Sequence, residues 1–308
     1  MNEFREAAAG VPGSLAEFVW GAPGTFLGLP PEHTDFEEAG VVLLPVPYEA
    51  TVSWMSGTKH GPGAIMTASH YVELYDHQLD REPYTIGIHT LPELLLTHEG
   101  PEQALNELRR VMDVLVATGK LVVMVGGEHS LSSSPILAHA DHLGGKRLSV
   151  LQLDAHTDLR TEYGGTPFSH ACVMQRVHQR VDLVPVGIRS LTREERSLMR
   201  EKNIPVIFAH ELDTDGWIDR TLDALGPEVY ITFDVDFLDP SVMPATGTPE
   251  PGGGSWNPTV RLLERVFRER HVVGCDVVEL APIPGMVSPD FLAAKLIYKM
   301  MGFHAAQA

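Results

Sequence analysis

Two cysteines in 308 residues, Cys172 and Cys275, are too few for a disulfide framework. They suit a reducing compartment, so a cytoplasmic protein is expected. Cys275 lies in the apolar run VVGCDVV and reads as a small core residue. Basic residues are scarce as well. The chain has 23 Lys+Arg against 41 Asp+Glu, a formal net charge of −18 with its 15 His counted as neutral. A chain this acidic lacks the basic stripe that neutralises nucleic-acid phosphates, and anionic membranes would repel it. No run of 18 apolar residues is available to span a bilayer. The first ten residues, MNEFREAAAG, lack the basic stretch and apolar stretch of a secretory signal. The acidic balance leaves room for a cationic partner, although most of this charge is expected on a solvated surface.

What is present is ordinary globular composition, 44% hydrophobic and 21% charged, enough to bury a large core. Residues 1–40 are rich in Gly and Pro and read as an irregular arm, suited to packing on a neighbouring subunit. Residues 41–308 read as one domain, with no linker and no internal repeat. In it, short Val/Ile/Leu-rich runs recur at 41–46, 84–89, 121–126, 147–153, 181–187, 204–209, 228–234 and 271–280. Such runs are the mark of strands buried on both faces of a sheet. Helical spacing separates several of them: 100–119, 192–203 opening on a Thr192–Glu195 capping box, 257–270 with Asn257 as cap, and 288–302 with Ser288 as cap. The alternation predicts a three-layer α/β/α fold around a mainly parallel sheet of about eight strands. In such sheets ligands bind beyond the carboxyl ends of the strands.

Three of the runs end in polar clusters. They are Gly126-Gly127-Glu128-His129-Ser130, then Asp154-Ala155-His156-Thr157-Asp158, and then Asp234-Val235-Asp236. On extended backbone, residues i and i+2 share a face, which aligns Asp154 with His156 and Asp234 with Asp236. Four carboxylates brought together and buried need counter-charge. Two divalent cations supply it, and the imidazoles of His129 and His156 complete a mixed oxygen and nitrogen ligand set. A set dominated by carboxylates favours Mn²⁺ over Zn²⁺.

GGEHS, DAHTD followed by SHACV, and DVDFLDPSVMPATGTPEPGG resemble the signature blocks of the ureohydrolase (arginase/agmatinase) family. GTKHGPGAI (57–65) and DVVELAP (276–282) extend the resemblance from about Gly57 to the C-terminus. The resemblance implies an arginase-like fold and a hydrolase carrying two Mn²⁺ per chain. His129, Asp154, Asp158 and Asp234 would bind one ion, and Asp154, His156, Asp234 and Asp236 the other. His170 matches the family's proton-carrying histidine, Glu279 the carboxylate that meets the substrate guanidinium, and Thr248 a threonine beside that pocket. Cys172 keeps a structural reading. One departure is Glu128, where the family usually has Asp.

The resemblance implies a small cationic guanidino substrate cleaved to urea and an amine, and a homo-oligomer, trimer or hexamer. The loop LRTEYGGTPFS (159–169) lacks the Asn with which arginases hold the amino-acid end of arginine. Glu162 in that loop offers a charge for a second cationic end, as in agmatine, the expected substrate. N1-aminopropylagmatine is the alternative polycation. Arg160 is suited instead to a guanidino acid such as guanidinobutyrate. The acidic stretch 71–82 reads as either pocket rim or surface. Two further readings are a silent metal-binding assembly subunit and a single-metal deacetylase. The complete ligand set argues against the first, and the second needs only one metal group.

Overall fold

The computed structural model describes residues 13–15, 18 and 24–307. Much of the expected N-terminal arm (1–12, 16–17 and 19–23) therefore lies outside the described residues. The part from 24 onward packs on the chain's own core. Phe26, Leu27 and Leu29 are buried, the Phe26 N–H donates to Oγ1 of Thr90, and the Leu27 N–H donates to Oγ of Ser69, both at 2.9 Å.

The strands are β1 (Val41–Val46), β2 (Ile88–Thr90), β3 (Leu121–Gly126), β4 (Leu148–Leu153), β5 (Asp182–Ile188), β6 (Ile207–Phe208), β7 (Glu228–Asp234) and β8 (His271–Val278). They form one eight-stranded sheet in the order β2-β1-β3-β8-β7-β4-β5-β6, and every pairing is parallel. The expected fold class holds. Two strands are much shorter than their apolar runs. In 84–89, Pro83–Ile86 winds into a 3₁₀ turn before β2 begins. In 204–209 only Ile207 and Phe208 pair, at the sheet edge, where Pro205 donates no ladder hydrogen bond.

Among the described residues the α-helices are α1 (Gly61–Ser69), α2 (Pro101–Val116), α3 (Ser133–His142), α4 (Val173–Val177), α5 (Arg193–Glu201), α6 (Trp217–Ala224), α7 (Trp256–Glu269) and α8 (Ser288–Ala305). Alternation along the strands assigns them to two layers. Val41, Leu43, Val123, Val125, Ile231 and Phe233 face one core with α1, α6, α7 and α8. Val42, Leu44, Val122 and Met124 face α2 and α3, while Val150, Leu183 and Tyr230 face α3, α4 and α5. The capping box of α5 forms: Glu195 N–H donates to Oγ1 of Thr192 at 3.1 Å, and Thr192 N–H returns to Glu195 Oε2 at 2.7 Å. Two other expected caps are displaced. Ser255 precedes α7 and puts Asn257 inside the helix, while Val287 precedes α8 and puts Ser288 in its first turn.

Candidate active site

The polar clusters leave β3, β4, β7 and β8. The sheet order makes these four strands neighbours, β3-β8-β7-β4, so clusters far apart in sequence meet at one edge. The Gly-Gly pair closes the approach. A Cβ on Gly127 would lie 1.9 Å from the carbonyl oxygen of Tyr48, so only glycine lets the end of β3 run beside the exit of β1. Two residues here hold positive φ without being glycine, Asp158 (52°) and Glu279 (66°). Such backbone is strained and is maintained by the packing around it.

His129 is buried on the turn after β3. Its Nδ1 lies 2.9 Å from Asp158 Oδ2, 3.2 Å from Asp154 Oδ2 and 3.4 Å from Asp234 Oδ2. His156 Nδ1 lies 2.9 Å from Asp236 Oδ2 and 3.7 Å from Asp154 Oδ1. Two groups with metal-binding spacing result, His129–Asp154–Asp234 and Asp154–His156–Asp236, and Asp154 belongs to both. Backbone donors fix the carboxylates: Ala155 N–H on Asp236 Oδ1 (2.9 Å), Asp236 N–H on Asp234 Oδ1 (2.9 Å) and His156 N–H on Asp154 Oδ1 (2.6 Å).

The donor chemistry fits divalent cations. Thr232 donates its hydroxyl to Asp276 Oδ1 (2.7 Å), so its oxygen accepts from His129 Nε2–H (2.9 Å). That places the His129 lone pair on Nδ1, a buried atom with no hydrogen-bond partner, among carboxylate oxygens. Without cations the cluster must hold protons instead. Burial works against a charged His129, yet Asp154, Asp158 and Asp234 lift it well above the ordinary imidazole range. Burial likewise opposes charge on His156, and Asp236 with Asp154 pushes it up to about 12. Burial and then the charge of Asp154 push Asp158 up to about 6, and burial with Asp236 and Asp154 raises Asp234 well above the carboxylate range. Burial also raises Glu279, helped by the charge of Glu128, to about 8.

The clusters border a cavity of about 290 Å³ whose lining includes His170, Glu279 and Thr248. His170 stands before α4, with Nε2 2.8 Å from Ser53 Oγ and its ring edge-on to Tyr163. Burial, then the positive charge at His129 and His156, lowers it to about 4. Glu162, expected to bind substrate, is exposed and is not among the residues that line the cavity. The loop turns at Gly164 and Gly165, both at positive φ, and sends Tyr163 and Arg160 to the cavity instead. Besides Asp158, Asp234, Asp236 and Glu279, the acids that line it are Glu195 and Glu250. The sequence reading also missed the Thr232–Asp276 support. An aspartate inside the apolar run VVGCDVV was its available signal.

Residues 39–302 match the arginase family. The chain is 39% identical over 278 residues to N(1)-aminopropylagmatine ureohydrolase of Synechocystis sp., covering 88% of this chain and 90% of that protein. It is 31% identical over 284 residues to the agmatinase of Pyrococcus horikoshii, covering 88% and 94%. Among solved structures, the agmatine ureohydrolase of Thermoplasma volcanium superposes with a TM-score of 0.80 at 30% identity, covering 89% of this chain and 92% of that one. With a match across most of its length and the two metal-binding groups in place, the chain belongs to the arginase family.

Proposed function

We propose that the protein is a manganese-dependent ureohydrolase that releases urea from a linear guanidine carrying a second cationic end. Agmatine and N1-aminopropylagmatine are the substrates considered. The observation that carries this reading is Glu279, a buried carboxylate on the cavity wall whose Oε1 is held 2.6 Å from the backbone N of His129. The 39% identity to an aminopropylagmatine ureohydrolase, against 31% to an agmatinase, favours the longer substrate.

His129, Asp154, Asp158, Asp234, His156 and Asp236 would hold two Mn²⁺. Bound there, the ions would lower the pKa of water and supply a nucleophile at neutral pH. Glu279 pairs with the guanidinium and, with Thr248, presents its carbon toward the metal groups. His170 carries a proton to the departing nitrogen, so the C–N bond breaks to leave urea and a neutral amine. With agmatine the amine is putrescine, a precursor in polyamine synthesis.

Arg160 favours a second reading, a guanidino acid, because it lines the same cavity. Its guanidinium lies 5.0 Å from the centroid of the Tyr163 ring and is largely solvated, which weakens that reading. The deciding experiment measures urea release with Mn²⁺ from agmatine, N1-aminopropylagmatine, guanidinobutyrate and arginine. A kcat/KM highest for either polycation supports the proposal, and arginine or guanidinobutyrate ranking first overturns it. A trimer or hexamer in the cytoplasm completes the proposal, and sedimentation of the full chain tests the assembly state.

A further inference from the structure

Glu128 is fully buried one residue before the metal-binding His129, yet none of its hydrogen bonds goes to the metal groups. Its Oε2 accepts from the N–H of Ala50 (2.5 Å) and Thr51 (2.6 Å). Its Oε1 accepts from the hydroxyls of Thr51 (2.7 Å) and Ser130 (2.5 Å). The His129 ring is oriented by Thr232, on the other side. Three of the four hydrogen bonds of Glu128 thus go to the loop after β1, whose residues Val52 and Ser53 line the cavity.

We propose that Glu128 is a positioning residue that sets the tautomer of His170 through Thr51. A hydroxyl has one proton to donate, and a carboxylate only accepts. The Thr51 proton is committed to Glu128, so the Thr51 oxygen faces His170 as an acceptor. It takes the backbone N–H of His170 at 3.0 Å and lies 3.3 Å from the ring Nδ1, an atom that also has Ser169 Oγ at 3.2 Å. The Ser169 hydroxyl can donate or accept, so Thr51, which can only accept, is the partner that favours a proton on Nδ1. The Thr51 contact with the ring is a hydrogen bond only when Nδ1 carries the proton. The neutral ring then keeps its lone pair on Nε2, where it accepts from Ser53 Oγ at 2.8 Å on the cavity side. Glu128 therefore prepares His170 with an unprotonated nitrogen facing the substrate space.

The catalytic consequence rests on the proton-carrying role given to His170 above, while the tautomer does not. The test uses the full chain with ¹⁵N-labelled histidine, freed of divalent ions, at a pH where His170 is neutral. The expected spectrum has His170 protonated at Nδ1, and this preference is lost in Thr51→Val and Glu128→Gln and retained in Thr51→Ser. In the Mn²⁺-loaded enzyme, Thr51→Val and Glu128→Gln should lose about tenfold or more in kcat with metal content unchanged, and Thr51→Ser should recover most of it. Protonation at Nε2 in the parent protein, or an unchanged tautomer in both variants, overturns the positioning role. Loss of metal as the main effect of Glu128→Gln does so too. Undiminished urea release by His170→Asn would instead overturn the proton-carrying role.

Discussion

The backbone N–H of His129 donates to Oε1 of Glu279 at 2.6 Å, locking the imidazole proposed to bind metal and the carboxylate proposed to meet the guanidinium into one unit. The two residues are 150 positions apart and meet because β3 and β8 are neighbours in the sheet. Glu279→Gln keeps an oxygen for that N–H and removes the charge. It should retain its metal ions while kcat/KM falls on the order of 10²- to 10³-fold, the size expected when a charged partner of the transition state is lost. Kinetics paired with metal analysis checks this. Loss of the ions would mean that Glu279 acts mainly by supporting His129.

Metal removal should cost stability. Asp154, Asp158, Asp234 and Asp236 are buried with only two imidazoles among them. Divalent cations that bind only the folded chain contribute RT ln(1 + [L]/Kd), about 2.7 kcal/mol at 100 times Kd. Chelation should lower Tm by several degrees, and Mn²⁺ should restore it. In Asp154→Ala both groups lose their shared ligand, so Mn²⁺ should raise Tm little. A full metal-induced shift in that variant would remove Asp154 from the bridging position.

The fold and the His/Asp clusters at its strand ends were legible in the sequence for a local reason. Buried parallel strands demand continuous apolar runs, and the charged residues that interrupt such runs at strand ends stand out. β1, β3 and β7 coincide with their apolar runs to the residue. The substrate end was less legible. Glu162 and Glu250 are both acids in glycine-flanked loops, and only the three-dimensional path of each loop decides which reaches the cavity. Glu128 posed the same difficulty. Its neighbour in sequence is His129, but its partners Ala50 and Thr51 come from the loop after β1.

Gly127 tests the strand-end approach directly. A methyl group there would meet backbone, the Tyr48 carbonyl, which cannot move without shifting the end of β1. Gly127→Ala should be destabilised by several kcal/mol and lose activity, since Thr51 and Ser53 follow on that segment. Gly126→Ala meets a side-chain methyl of Val278 at 2.8 Å and should be milder. Thermal melts of the two variants give the comparison, and a native Tm for Gly127→Ala would contradict the close approach.

Asp76, in the acidic stretch 71–82, is neither pocket rim nor surface. It is buried, and Lys299 Nζ of α8 lies 2.8 Å from each of its carboxylate oxygens. Burial alone would raise Asp76, but the hydrogen bond and charge of Lys299 win and hold it below the ordinary carboxylate value. A carboxyl depressed in the folded state contributes stability above its unfolded value, about 3.9, and loses it as pH falls through the folded value. Lys299→Met strands the buried carboxylate and should cost about 3–5 kcal/mol at pH 7. The gap from the parent protein should shrink below about pH 4, where Asp76 takes up a proton. Denaturant titrations at pH 7 and pH 3.5 measure both, and an equal gap at the two values would refute the pairing.

Glu250 and Glu195 both line the cavity, but they are not equivalent. The two oxygens of Glu195 already accept from Leu159 N–H (3.2 Å) and Thr192 N–H (2.7 Å), which commits that carboxylate to the start of α5. The Glu250 side chain has no hydrogen-bond or ion-pair partner among the described residues; its backbone carbonyl accepts from Arg189. An ammonium at the far end of a guanidine therefore has Glu250 as its available counter-charge. Glu250→Gln should lower kcat/KM about fivefold for N1-aminopropylagmatine and agmatine, mainly through KM, because a half-exposed ion pair contributes about 1 kcal/mol. The same change should leave guanidinobutyrate unaffected or improved, since its carboxylate is repelled by Glu250 and attracted by Arg160. Glu162→Ala, on the exposed side of the loop, should alter neither. If instead Glu162→Ala produced the KM effect and Glu250→Gln did not, the loop would have to rearrange on binding to carry Glu162 inward.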